Sequence, residues 1–413
     1  MAPLTNWAGS ITFGTELLHR PSSVAQLQSL VASSDRARVL GTGHSFNRIA
    51  DTTGALISVG ELPQLLELDS ASSQVRVSAG TRYGELTAFL DQHSLALANL
   101  GSLPHISVAG ACATGTHGSG DRNSILAAAV RGQRLVAGDG QLIELDPSTP
   151  DFAGTVVGLG SLGVVTELVL QAVPAFEIRQ YVYDDLALDA LEQHFDEISA
   201  AAYSVSVFTR YGGDQVDGVW LKSLEERSGD FFGAAPAGGQ RHPVPGEDGS
   251  TATQQGGVPG RWQHRLPHFR LEFTPSSGAE IQSEYFVDRD QAVPAIRAVR
   301  SMADQLAPVL MVGEIRTIAA DELWLSPCLQ RDRVALHFTW IRDEAAVRPV
   351  VAELEARLAD FAAVPHWGKY FLLAPERLAE LHPRLADFAA LVRHYDPSAT
   401  FTNDFVRRYV GAG

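Results

Sequence analysis

Residues 101–120, Gly-Ser-Leu-Pro-His-Ile-Ser-Val-Ala-Gly-Ala-Cys-Ala-Thr-Gly-Thr-His-Gly-Ser-Gly, constrain this chain more than any other segment. Nearly every position is small, β-branched or glycine, so backbone amides are laid bare over some twenty consecutive residues. Glycine lets a backbone approach a ligand without side-chain obstruction, and successive amides can turn toward an anion. Such a run suits close contact with a large, flat, diphosphate-bearing ligand and suits little else.

Two further glycine-rich turns flank it. Arg38-Val-Leu-Gly-Thr-Gly-His44-Ser-Phe-Asn runs from a strand-like pattern into Gly41-Thr-Gly43, and Gly158-Leu-Gly-Ser-Leu-Gly-Val-Val-Thr-Glu167 feeds a β-branched run. The first is not a dinucleotide-binding GxGxxG, because Ser45 and Phe46 stand where that motif leaves room for close helix packing. Taken alone it reads equally as a tight turn carrying a solvated histidine.

The rest of the chain bounds the possibilities. Its 413 residues are enough for two domains, and 45 % hydrophobic with 19 % charged residues is ordinary globular composition. A formal charge of −16 argues against a general nucleic-acid binder and against adhesion to anionic membranes. Two cysteines, Cys112 and Cys328, cannot frame a disulfide-dense fold. The N-terminal residues lack the basic and apolar blocks of a signal peptide, and no apolar run approaches the ~20 residues that span a bilayer. The expectation is a cytoplasmic monomer.

Periodicity divides the chain by style. Up to about residue 175, short β-branched runs (37–40, 55–59, 74–78, 127–135, 163–170) alternate with helical patterns at 23–32 and 83–93. Beyond it, strands at 178–183, 204–210, 269–273, 281–287, 309–318 and 334–341 are expected, with helices at 186–199, 291–305, 344–362 and 378–392. Strands followed by covering helices predict an antiparallel sheet with helices on one face. Residues 233–260, with eight glycines and four prolines, read as a long loop. The fold class expected is α+β, divided into residues 1–172, 173–371 and a returning segment 372–413.

In the 309–318 run, alternation places Val312, Glu314 and Arg316 on one face; in 334–341 it does the same for Ala335, His337 and Thr339. Neighbouring strands would gather an acid, a guanidinium, an imidazole and a hydroxyl, with Trp324, Trp340 and Trp367 expected to wall the pocket. The competing reading is a surface sheet with a solvated Glu/Arg pair. His93, His105, His194, His242 and His382 show no metal-ligand spacing. The His264/His268 pair borders Pro267, so it is not a helical metal site, and no metal is expected.

The ordered motifs Gly41-Thr-Gly-His44-Ser, residues 104–120 and Gly160-Ser-Leu-Gly-Val-Val-Thr166 resemble the FAD domain of the vanillyl-alcohol-oxidase type of flavoenzymes. Gly313-Glu-Ile-Arg316, His337-Phe-Thr-Trp340, Pro365-His-Trp-Gly-Lys369, Pro267-His-Phe-Arg270 and residues 272–278 narrow the resemblance to the alditol oxidases. It runs over nearly the whole chain and implies one FAD, tethered covalently through its 8α-methyl to His44. Leu103 stands where berberine-bridge relatives carry a second, cysteinyl tether, so a single tether is implied.

The implied cofactor contacts are Gly41, Thr42, Gly43, Ser45 and Phe46; Ser102, Ser107, Gly110, Cys112, Gly115, Thr116, His117, Gly118, Ser119 and Gly120; and Gly163, Val164 and Val165. Cys112 also reads as a small packing residue. The implied polyol contacts are Ser107, Glu314, Arg316, Thr339 and Lys369, with catalysis on Arg316, Lys369, Glu314 and His337. The activity implied is oxidation of the terminal hydroxyl of an alditol such as xylitol, sorbitol or glycerol, with O2 as acceptor. A sugar-lactone oxidase or dehydrogenase of the same fold is the alternative within enzymes, and a non-catalytic flavin or sugar binder the alternative outside them. Phe401-Thr-Asn-Asp404 motivates the return of the C-terminal segment to the cofactor side.

Overall fold

Alternating residues become strands here because each face finds its own environment, and the computed structural model, which describes residues 3–273 and 279–411, sorts those strands into two units. In the first, Ala37–Val39 and Leu18–His19 both pair in parallel with Ala55–Ile57. A five-stranded antiparallel sheet lies beside it in the spatial order Leu66–Asp69, Gln74–Ser78, Val164–Gln171, Val130–Val136, Leu142–Leu145. Val164–Gln171 alternates buried and half-buried residues along its whole length, the period-two signature of a one-sided strand. Helix Val24–Ala32 starts where the Ser23 hydroxyl accepts from the Gln26 amide, and it buries Leu27 and Val31 against Ile57, Val136 and Val164.

The second unit is a nine-stranded antiparallel sheet. Its central order is Glu177–Asp184, Gly218–Ser223, Ser204–Thr209, Leu310–Ile318, Arg333–Ile341, Glu280–Asp288, with short edge strands beyond. Helices Ala292–Arg300 and Glu344–Leu358 cover one face with Ile296, Val299, Val347, Val351, Leu354 and Leu358. The opposite face turns toward the first unit. The C-terminal helices Pro375–Leu381, Leu385–Tyr395 and Asp404–Val410 pack back on that first unit, where Ala37 N–H donates to Thr400 O at 2.8 Å.

Several expected elements are drawn differently. The helix expected at 186–199 is two, Leu188–Gln193 and Phe195–Ser199, broken where His194 leaves helical geometry. That at 291–305 divides into Ala292–Arg300 and Ala303–Leu306, and that at 378–392 breaks at His382-Pro383, where proline cannot continue the ladder. Residues 269–273 form no strand; Phe269 makes a lone bridge to Ala252. The strand expected from 127 begins at Val130, after a 3-10 turn. Gly218–Ser223, a strand buried along its whole length, had no counterpart in the sequence reading. The 233–260 segment is largely loop, with Ala235–Pro236 and Gly260–Arg261 pairing at the sheet edge. Part of the 272–278 motif lies outside the described residues.

Candidate active site

A long cavity runs between the units. One wall is the first glycine-rich turn. Gly43 sits at φ +74°, a conformation that favours glycine, and its carbonyl accepts from Trp7 N–H at 2.8 Å. The Trp7 ring stacks on His44 at 4.7 Å. His44 Nδ1 lies 3.0 Å from Thr42 Oγ1, while Nε2 is buried without a partner. Burial, and then the Lys369 charge, lower the His44 pKa to about 4, so the imidazole is neutral. An orphaned neutral nitrogen on a cavity wall is a free nucleophile.

The second wall is the 101–120 segment. Ser107 stands at the N-terminal end of the short helix Val108–Ala113 without a side-chain capping bond, and a Cβ added at Gly41 or at Gly110 would lie 2.8 Å from its hydroxyl. The two glycines therefore keep the floor flat around Ser107. Gly41, Thr42, Gly43, His44, Ser45, Phe46, Ser102, Ser107, Gly110, Cys112, Thr116, His117, Gly163 and Val165 all line the cavity. These residues suit FAD: a flat backbone floor, and at its rim one unpartnered imidazole nitrogen.

Five expected contacts lie elsewhere. Gly115 is a left-handed turn outside the lining, and Val164 points into the apolar core. A Cβ on Gly118 would meet Asn99 Oδ1 and the Leu100 carbonyl, so this glycine serves chain packing. Ser119 Oγ pairs with Ser204 Oγ at 2.5 Å, and Gly120 N–H donates to Thr317 O at 2.8 Å. Beyond His117 the segment leaves the cavity to dock against the large sheet.

That sheet supplies the polar end. Glu314 pairs in register with His337 and with Phe208, and His337 pairs in turn with Glu284. Period two then brings Val312, Glu314 and Arg316, His337 and Thr339, and Gln282 and Glu284 onto one cavity-facing surface. Arg316 donates from Nη2 to Glu284 Oε1 at 2.6 Å, while its Nε is 3.5 Å from Glu314 Oε2. Arg316 is thus held mainly by Glu284, which the sequence reading did not single out. His117 Nε2 and His337 Nδ1 lie 3.2 and 3.4 Å from the same Glu284 oxygen. Burial pushes the Glu284 carboxyl up, but His117 and Arg316 outweigh it and hold the group well below the usual range. Glu314 is likewise lowered, burial being overcome by Arg316 and His268. Arg316, opposed by its own burial, is raised by both carboxylates. Burial lowers His337 despite Glu284.

Lys369 reaches the cavity from the turn after strand Val364–Pro365. Asn47 Nδ2 donates to the Trp367 and Lys369 carbonyls at 2.7 and 2.8 Å, and Phe46 N–H donates to Gly368 O at 2.7 Å. The Lys369 ammonium donates to Gln282 and lies 5.2 Å from the Phe46 ring centre. The cofactor-side loop is in this way strapped to the residues that present the lysine.

The three tryptophans do not wall the cavity. Trp340 follows Thr339 and so faces the opposite side of the sheet, stacked on Phe338; Trp324 and Trp367 also lie in the apolar core. His268, part of the Pro267–Arg270 motif but given no role from sequence, is buried with Nε2 2.8 Å from Glu314 Oε1, and His242 lines the cavity. Alternation along the expected 281–287 strand would have pointed to Gln282 and Glu284. Behind His268, Lys222 places Nζ 3.1 Å from Nδ1, and a lysine inside the apolar run Gly-Val-Trp-Leu-Lys-Ser was the available signal for it. Among the described residues, no group of three or more His, Cys, Asp or Glu is arranged to hold a metal.

Residues 15–146 match the FAD binding domain family, and residues 278–409 match the D-arabinono-1,4-lactone oxidase family. The chain is 49 % identical over 408 residues to an alditol oxidase of Streptomyces sp., covering 98 % of each. It is 29 % identical to an L-gulono-1,4-lactone dehydrogenase of Mycobacterium tuberculosis over the full length of both. Among solved structures, cholesterol oxidase from B. sterolicum shares the fold at TM-score 0.81 and 14 % identity, covering 99 % of this chain and 96 % of that one. A chitooligosaccharide oxidase does so at 0.76 and 12 %, covering 97 % and 93 %. With the vanillyl-alcohol-oxidase-type fold, an FAD-binding domain over residues 15–146 and a near-half-identical relative aligned end to end, this chain belongs to the alditol oxidase family of oxidoreductases.

Proposed function

We propose that the protein oxidises the terminal carbinol of a small alditol to the aldehyde, with the overall balance RCH2OH + O2 → RCHO + H2O2. The carrying observation is the group of polar side chains, Gln282, Thr339, Glu314 and Arg316 from the sheet with Lys369 from the turn beside it, that line the same cavity as Ser107 and His44. A polyol chain presents alternating donor and acceptor needs; Glu accepts, Arg and Lys donate, and Ser or Thr does either. A site of buried polar groups also penalises any substrate lacking a hydroxyl.

FAD, when bound, supplies the two-electron acceptor and the route to O2. The first glycine-rich turn would hold it, with the orphaned His44 Nε2 as the tether, alongside Ser107, Gly110, Gly163 and Val165. Glu314 is ionised and accepts from the substrate hydroxyls. Arg316, charged and clamped by Glu284, is aimed at negative charge that grows during the reaction, and Lys369 lies beside it. We read the chain as a cofactor unit at 1–172, a substrate unit at 173–371 and a segment 372–413 that closes on the former.

The match of residues 278–409 to a lactone oxidase family sustains a second reading, oxidation of an aldonolactone. Peroxide release under air decides between them. Xylitol, sorbitol and glycerol are expected to yield peroxide, and 1,4-lactones little; the reverse order would transfer the assignment to lactones.

A further inference from the structure

Lys222 is 1 % exposed, on the same face of its strand as the buried Trp220. Taking an ammonium out of water is costly, and a Met or Leu would fill the same volume without that cost. Its Nζ donates to the Leu266 carbonyl and lies 3.1 Å from His268 Nδ1. The His268 ring stands edge-on between Phe208 and Trp220, with centroids 5.5 and 5.4 Å away. Its backbone is pinned at both ends: N–H to Ser102 O at 3.2 Å, and C=O from Thr253 N–H at 2.8 Å.

A lysine ammonium has donors and no acceptor. His268 Nδ1 must therefore accept, which leaves the ring proton on Nε2, 2.8 Å from Glu314 Oε1. The polarity runs one way: Lys222 donates to His268, and His268 donates to Glu314. Oε1 is then occupied, and Oε2 remains for Arg316 and the cavity.

We propose that Lys222 and His268 are positioning residues for the substrate site, a buried one-way donor chain that keeps Glu314 an acceptor with one oxygen free for a polyol hydroxyl. The inference rests on the alditol reading above. Burial, partly offset by Glu314, lowers the Lys222 pKa to about 7, and burial with Lys222 lowers His268 to about 4. The ionisable groups facing the pair are Glu314 and Arg316, on the strand that lies beyond Ser204–Thr209 from Lys222. As pH rises through neutrality Lys222 loses its charge, and a charge-assisted bond becomes a weaker neutral one. Alditol binding should weaken with it.

The test is anaerobic stopped-flow reduction of the holoenzyme by xylitol from pH 6 to 9, separating limiting rate from half-saturation. In the wild type, half-saturation should rise with pH around neutrality. Lys222→Met and His268→Leu should raise it about 10-fold at pH 6, the scale of one hydrogen bond to a charged group, and remove that inflection. Their limiting rates should stay within a few-fold. His268→Gln, whose Nε2 can donate from the same reach, should recover most of the loss. In 15N-histidine spectra, the resonance absent from His268→Gln should report the Nε2-protonated tautomer in the wild type and change in Lys222→Met. Yellow, folded variants with wild-type half-saturation and pH dependence would overturn the proposal. So would equal impairment of His268→Gln and His268→Leu, a comparison that stands even if Lys222→Met fails to fold. A wild type that no alditol reduces would instead defeat the functional reading, while the tautomer spectra still test the chain.

Discussion

Single atoms decide how the two halves of the cavity divide their labour. His44 has one nitrogen engaged by Thr42 and one shielded and unpartnered. If that nitrogen carries the cofactor, acid-precipitated protein should keep its yellow colour, and His44→Ala should release all flavin to the supernatant. Arg316 stands apart from the other polar groups because two buried carboxylates hold its charge in place. An electrostatic role of that kind is commonly worth ~100-fold, so Arg316→Ala should lower the limiting rate of anaerobic reduction by about that factor. A rate within a few-fold of wild type would reduce the strand to a binding surface. Ser107→Ala deletes one neutral hydrogen bond and should mainly raise KM, by about 0.5–1.5 kcal/mol in kcat/KM.

At the scale of elements, strand pairing converts local alternation into a site, and helices only back it. Glu344–Leu358 buries Val347, Val351, Leu354 and Leu358 behind the sheet, yet carries Pro349 in its interior at an exposed position. Proline there removes a ladder hydrogen bond and crowds the preceding turn, at ~3 kcal/mol relative to alanine in an unadapted helix. Pro349→Ala should therefore raise the Tm, with kcat and KM unchanged because the helix lies on the face away from the cavity. A lower Tm would mean that Pro349 stabilises the helix where it stands. The same element-level accounting explains the broken helices: Pro383 stops one pattern, and a turn at His194 stops another, although the apolar periodicity runs through both.

Across the whole molecule, buried polar groups knit distant segments. The Arg38 guanidinium donates to the carbonyls of Ile49, Leu159, Gly160 and Phe401, while Asn403 Nδ2 donates to those of Arg48, Ile49 and Asp51. The C-terminal segment is thereby tied to the loops beside the cavity. Buried neutral histidines give the molecule a shared acid sensitivity. Burial lowers His382 to about 3, with Arg333 adding to it, and His268 is lowered to about 4. Their folded values lie below the ordinary 6.5, so the unfolded chain takes up protons first. The stability they allow is whole above pH 6.5 and is lost as pH falls toward 4, by up to ~1.4 kcal/mol per pH unit for each group. Urea unfolding at pH 7.5, 6 and 5 should show that decline, and His382→Leu should flatten it; a slope that does not change would mean His382 is charged in the folded state.

The sequence by itself determined whatever depends on near neighbours. Glycine spacing made the 41–46 and 101–120 turns legible, and period two put Glu314 beside Arg316 on one face and His337 beside Thr339 on another, because alternation needs no partner strand. Sequence could not show which strands are adjacent, since register is set by packing and loop closure over hundreds of residues. Only the tertiary structure set Glu284 across from His337 and against Arg316, and brought Lys222 and His268 behind Glu314. The same holds for the residues after His117: their small side chains read as a ligand cradle, and the fold uses Gly118 and Gly120 for close packing between segments. A glycine admits a ligand and a neighbouring backbone equally well, and the surrounding chain decides which one arrives.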